Sequence, residues 1–107
     1  MKQKNVYATY MWQELFGEPL FRFQTSDPAV NKRMRQRNDF TLVSEALNAA
    51  LWVYRARFYS PREARRTLKR ITRREIHFDA TEGVYFAETG AVVAQKTGGK
   101  QNNGSIM

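Results

Sequence analysis

Residues 41–58, TLVSEALNAALWVYRARF, decide the fold of this chain because they fit two different structures. At about 100° per residue, a helix gathers the apolar residues of this segment into one stripe. The stripe consists of Leu42, Val43, Ala46, Leu47, Ala50, Val53 and Tyr54, with Arg57 as its one charged member. This alternative gives a mostly helical α+β domain. Its next helix would be placed to enter a DNA major groove, loosely as in a helix-turn-helix.

The same residues also fit two strands that turn near Asn48-Ala49. Alternation along the second strand then separates an aromatic face from a basic face. Propensity is divided, because SEALNAAL favours helix and LWVYRARFY favours strand. We favour the hairpin, since it explains the aromatic density and the arginines together. The aromatic face holds Trp52, Tyr54, Ala56 and Phe58, and the basic face holds Arg55 and Arg57.

The flanking segments complete a pattern of strands and helices. PLFRFQTS alternates as a half-buried strand, and EIHFDA and GVYFAE are strand-like on either side of a bend at 81–83. Asp27-Pro28 begins a helix that we expect to run through Arg37. The order predicts a ferredoxin-like βαββαβ domain, with two helices packed on one face of an antiparallel sheet. We expect Val6 to Trp12 to form a short strand or extended arm outside this unit.

Residues 60–75, SPREARRTLKRITRRE, contain the clearest helix start in the chain. Ser60 and Glu63 form a capping box, and Pro61 occupies the first helical position, where a missing N–H costs nothing. Helical periodicity divides this segment into an apolar side, expected to be buried, and a basic side, expected to be exposed. The apolar side holds Ala64, Thr67, Leu68 and Ile71, and the basic side Arg62, Arg65, Arg66, Lys69 and Arg73.

The net charge is +8 at pH 7, from 18 lysines and arginines against 10 acidic residues. Most of the cations fall in two short segments in which arginine predominates, and a clustered basic excess attracts polyanions. We therefore expect these clusters to contact nucleic acid, with two strand arginines extending the footprint. The candidate residues are Arg62, Arg65, Arg66, Lys69, Arg70 and Arg73, then Lys32, Arg33, Arg35 and Arg37, and finally Arg55 and Arg57.

Length and composition predict one folded domain over residues 1–90, followed by a flexible tail over 91–107, where periodicity is lost. The absence of cysteine excludes disulfides and thiolate metal sites. No apolar run has the length of a signal peptide or a membrane span, so we expect a cytoplasmic protein with no membrane association. The oligomeric state is left open.

Catalytic motifs are absent from the sequence. His77 is the single histidine, flanked at alternating positions by Glu75 and Asp79, and such polar runs are common on exposed strand faces. The glycines match neither phosphate-binding fingerprint. We therefore expect no catalytic residue, no metal and no cofactor. The aromatic residues Phe21, Phe23, Trp52 and Tyr54 are expected to be core rather than a stacking surface.

The sequence thus favours a non-catalytic protein that binds DNA or RNA through a basic amphipathic helix. The alternative is a small interaction or inhibitor protein, of the kind mobile elements encode. Such a protein would bind and regulate a larger partner, such as a nucleic-acid-processing enzyme.

Overall fold

In a computed structural model, residues 6–15, 17–46 and 51–91 are described, and they form one antiparallel sheet with two helices. The elements are three hairpins connected by the two helices. In chain order they are β1 (Val6–Gln13), β2 (Leu20–Thr25), α1 (Pro28–Arg35), β3 (Phe40–Ala46), β4 (Leu51–Arg57), α2 (Pro61–Thr72), β5 (His77–Asp79) and β6 (Val84–Ala91). The α+β class is therefore confirmed.

The hairpin interpretation of residues 41–58 is confirmed, and the helical alternative is wrong. β3 pairs with β4 in antiparallel register, from Phe40 opposite Ala56 to Ala46 opposite Leu51. The predicted turn at Asn48-Ala49 lies outside the described residues. Cross-strand pairing of aromatic residues in LWVYRARF outweighs the helix propensity of SEALNAAL, because tertiary context overrides intrinsic preference.

The strand order is β3-β4-β2-β1-β6-β5, so the predicted ferredoxin-like order is wrong. The reason is β1, which is a central strand and not an arm outside the domain. β1 pairs with β2 on one side and with β6 on the other. The last hairpin therefore adds to β1, whereas the βαββαβ order requires the last strand to pair with β2.

Both helices cover the same face of the sheet, as predicted. α1 packs on β2 and β3, and α2 packs on β1 and β6. Asp27 caps α1 by accepting from the Ala29 amide at 2.9 Å, and Ser60 caps α2 by accepting from the Glu63 amide at 3.3 Å. α1 ends at Arg35, two residues before the predicted end.

The core lies between this helix layer and the sheet. Alternation in β2 and β4 sends every second side chain into it, while the intervening residues occupy the open face of the sheet. Trp52 is half-buried against the core, and the other predicted core aromatics are fully buried. The core residues are Met11, Phe21, Phe23, Phe40, Tyr54 and Ala56 from the sheet, and Val30, Met34, Ala64, Leu68 and Ile71 from the helices.

Among the described residues, neither helix has the length and apolar character needed to cross a bilayer.

Candidate nucleic-acid interface

The outer face of α2 carries a row of cations. Arg62, Arg66 and Lys69 are exposed, while Leu68 and Ile71 on the inner face are buried. The predicted division of this helix into two faces is therefore confirmed. With a rise of about 1.5 Å per residue, the row from Arg62 to Lys69 extends over about 10 Å along the helix axis.

Few acidic side chains neutralise this row. Arg66 lies 3.7 Å from Glu63, a long ion pair in which both side chains are about half exposed. Within the described residues, Arg62, Lys69, Arg70 and Arg73 have no carboxylate within 4.0 Å. Because exposed single ion pairs contribute little, Arg66 is also available to an external anion.

Arg65 differs from the other cations of α2 because it packs against the protein. Its guanidinium lies 5.2 Å from the centre of the Tyr85 ring, and Nη1 donates to the Tyr85 hydroxyl at 3.3 Å. Arg65 therefore fastens α2 to β6, and its charge is only partly available to a ligand.

The α1 cluster divides in the same way. Lys32 and Arg35 are exposed, and Arg35 is 3.7 Å from Glu45. Arg33 instead donates from Nη1 to the Ile71 carbonyl at 2.6 Å, which joins α1 to the C-terminal end of α2. α1 and α2 lie side by side, so the exposed cations of both helices belong to one basic layer, which we call the helix layer.

Arg37 is held by Asp39 in a two-bond ion pair, at 2.9 Å from Nε and 2.8 Å from Nη2. The hydrogen bonds from Arg37 hold the pKa of Asp39 below its usual value. Arg37 also lies over the Phe40 ring at 5.4 Å. The protein therefore holds Arg37 in place, and its charge is already paired with that of Asp39.

Arg55 lies on the open face of the sheet, opposite the helix layer, because its neighbours Tyr54 and Ala56 point into the core. Glu14 accepts from Arg55 Nε at 3.2 Å and from Arg22 Nη2 at 2.9 Å. The Arg55 hydrogen bonds are the main reason that the pKa of Glu14 is lowered. Arg55 is thus part of a structural ion cluster, separate from the α2 row.

A cleft brings together arginines that are far apart in sequence. Arg37, Arg57 and Arg70 line a cavity of about 500 Å³ between the end of β4 and α2. Tyr59 stands at its edge and is 99% exposed. Sequence reasoning missed Tyr59, although its position beside a cap residue and between two basic segments was the available signal. The remaining lining residues are Pro19, Asp39, Phe58, Glu63 and Thr67.

The open face of the sheet carries a row of rings that sequence reasoning also missed. Tyr10, Phe86 and His77 lie side by side on β1, β6 and β5, with ring centres 5.9 Å and 5.5 Å apart. His77 is exposed, and its ring packs against Phe86 at a tilt of 37°. No group of three potential metal ligands occurs among residues 6–15, 17–46 and 51–91.

The fold and this surface define a small α+β domain with a basic helix layer. The chain matches no protein-family model, and comparison with curated proteins and with solved structures gives no significant match.

Proposed function

We propose that this protein binds nucleic acid without catalysing a reaction, and that the helix layer contacts the phosphate backbone. The observation that carries the proposal is the exposed cation row of α2. α1 contains three cations and α2 contains five, and the single carboxylate on the two helices is that of Glu63. A surface of this kind attracts a polyanion and speeds its capture.

The spacing of the row suits a phosphate chain. Arg73, which directly follows α2, continues the row, because Arg62, Arg66, Lys69 and Arg73 recur every three or four residues along one side of the helix. With Arg73 the row extends over about 16 Å at about 1.5 Å per residue, and along a duplex axis one strand places a phosphate about every 3.4 Å. Contacts to phosphates fix a position on the nucleic acid without reading its sequence, so we propose sequence-independent binding.

The cations of this surface are mainly arginines, which suit phosphate. A guanidinium offers a planar fork of donors that matches two phosphate oxygens. Arg62, Arg70 and Arg73 are exposed and have no carboxylate partner among the described residues, so binding breaks no ion pair there. Lys32 and Arg35 extend the same layer, whereas Arg33, Arg65 and Arg55 mainly support it or lie elsewhere.

The test replaces Arg62, Arg66 and Lys69 together by glutamine. The variant should bind unrelated DNA and RNA sequences at least about tenfold more weakly at 100 mM salt, since charged surface contacts dominate such binding. Its folding should be unchanged, because surface changes away from caps and core usually shift stability by less than about 0.5 kcal/mol. Fluorescence anisotropy with labelled oligonucleotides measures the first quantity, and urea unfolding measures the second.

A charge-matched control distinguishes binding by the α2 surface from a general effect of the protein's net charge. Replacing Lys2, Lys4 and Lys100 by glutamine removes the same three charges from outside the described residues. This control should lose much less affinity than the α2 variant. Equal losses in both would contradict a defined surface on α2. Absence of binding in the wild-type protein would favour the interaction or inhibitor protein instead.

A further inference from the structure

We propose that the cleft beside Tyr59 holds an unpaired nucleobase, so that the protein prefers single-stranded to duplex nucleic acid. This proposal rests on the proposed function, and it specifies single-stranded nucleic acid as the preferred ligand. The cleft adjoins the cation row, because Arg70, which lines the cleft, directly follows Lys69 of the row. A strand whose phosphates follow α2 therefore passes the mouth of the cleft.

Among the described residues, Tyr59 makes no packing contact that explains its presence. It directly precedes Ser60, the capping residue of α2, at a position where an apolar side chain often packs against the first turn of the helix. Here the side chain is 99% exposed, so it makes no such contact. Tyr59 also lines a second concavity with Pro61 and Phe21. An aromatic side chain this exposed is open to a stacking partner.

The cleft has the size and lining of a base site. Its volume of about 500 Å³ lies within the range of small-ligand pockets, about 300–1,000 Å³. Phe58 and Pro19 supply apolar lining, and the Phe58 ring is held by edge-on contacts with Phe21 and Phe23 at 6.1 and 5.9 Å. The apolar lining of the cleft is therefore continuous with the aromatic core.

The charges around the cleft favour a nucleotide over an uncharged aromatic ligand. Of its two carboxylates, Asp39 is bound by Arg37 and Glu63 lies 3.7 Å from Arg66. Arg57 and Arg70 have no carboxylate within 4.0 Å among the described residues. They can bind the phosphates on either side of a base stacked on Tyr59.

The same geometry discriminates against a duplex. A base can stack on a protein ring only when its own face is free, and in a duplex both faces are covered by neighbouring bases. Duplex DNA would contact the cation row alone. Single strands would contact the row and Tyr59 together.

The test is Tyr59→Ala, measured by anisotropy with one labelled 20-nucleotide strand, alone and annealed to its complement. We expect the variant to lose about 5- to 150-fold in affinity for the single strand, the range for one stacked base. Duplex affinity should be unchanged. The salt dependence should also be unchanged, because no charge is removed. Tyr59→Trp should restore single-strand binding, since it keeps a stacking ring.

Phe78→Ala is the matched control, because Phe78 is also an exposed ring, 54% exposed, but lies on β5 at the opposite edge of the sheet. It should bind the single strand as the wild type does. Equal single-strand affinity of Tyr59→Ala and wild type, or equal losses for strand and duplex, would overturn the inference while leaving the α2 proposal intact. If adenosine monophosphate displaced the strand at the same nucleotide concentration, the cleft would be a free-nucleotide site, which also overturns it. If the wild type binds neither the single strand nor the duplex, the proposed nucleic-acid binding itself is contradicted.

Discussion

At the scale of single residues, Arg73 has the most unusual backbone conformation among the described residues. It directly follows the last helical residue of α2 and adopts φ 60° and ψ 32°, the left-handed region. Helix ends of this type usually carry glycine, because a Cβ atom is strained there. Arg73 is the only non-glycine residue with positive φ among the described residues. An arginine at this position is explained if its charge is needed on the helix layer.

Replacing Arg73 by glycine should therefore change stability and binding in opposite directions. We expect the free energy of unfolding to rise by about 1 kcal/mol, because the strain of the left-handed conformation is relieved. Nucleic-acid affinity should fall, since one phosphate contact is lost. Urea unfolding and anisotropy on the same preparation give both quantities. A destabilised variant, or one with unchanged affinity, would contradict this account of Arg73.

Glu14 makes stability depend on pH in a defined direction. Its folded pKa is lowered from 4.5, mainly by hydrogen bonds from Arg55, so its contribution is complete above pH 4.5. The contribution is lost as pH falls through the lower, folded pKa. We expect Glu14→Gln to be less stable than wild type at pH 7, and the difference to shrink as pH falls below 4.5.

Thermal unfolding between pH 7 and pH 2.5 measures this difference. In an Arg55→Gln background, the effect of Glu14→Gln should depend less on pH, because the main cause of the shift is gone. A difference between Glu14→Gln and wild type that stays constant over the whole pH range would contradict the role given to the ion cluster.

At the scale of elements, α2 has a core face and an exposed basic face, and the two can be distinguished by mutation. Leu68 is fully buried, so Leu68→Ala should destabilise the protein by about 2–5 kcal/mol. Arg62→Ala, one exposed change on the same helix, should shift stability by less than about 0.5 kcal/mol. Chemical denaturation of both variants makes the comparison. Similar costs for the two changes would mean that the packing of α2 differs from this description.

The elements that sequence reasoning predicted well are those with local causes. The capping residues Ser60 and Asp27 mark both helix starts, and alternation in LWVYRARF marks β4. The position of β1 was not predictable in this way. Its residues are strand-forming wherever they pair, and their place between β2 and β6 depends on pairing with residues more than 70 positions away.

The candidate site was predictable to a similar extent. Periodicity correctly assigned Arg62, Arg66 and Lys69 to the exposed face of α2. It gave no sign that Arg33 is bound to the Ile71 carbonyl, or that Arg65 lies against Tyr85. Those contacts, like the cleft at Tyr59, arise only when separate elements approach one another.

At the scale of the whole molecule, charge and aromatic residues are divided between two sides. The helix layer carries the exposed cations of α2 and α1, whereas Glu14 forms ion pairs with two arginines on the open face of the sheet. Of the 18 lysines and arginines of the chain, eight lie on α1 and α2, where Glu63 is the single carboxylate. We propose that this side of the molecule binds nucleic acid, and that the charge of the chain as a whole does not suffice.

The most direct test is the slope of the logarithm of affinity for duplex DNA against the logarithm of salt concentration. The slope is measured for the wild type and for the variant in which Arg62, Arg66 and Lys69 are all replaced by glutamine. Each phosphate contact contributes about 0.9 to the magnitude of this slope. The account predicts a slope smaller in magnitude by up to about 2.7 for the variant, with folding unchanged. A variant with the slope and affinity of the wild type would contradict it.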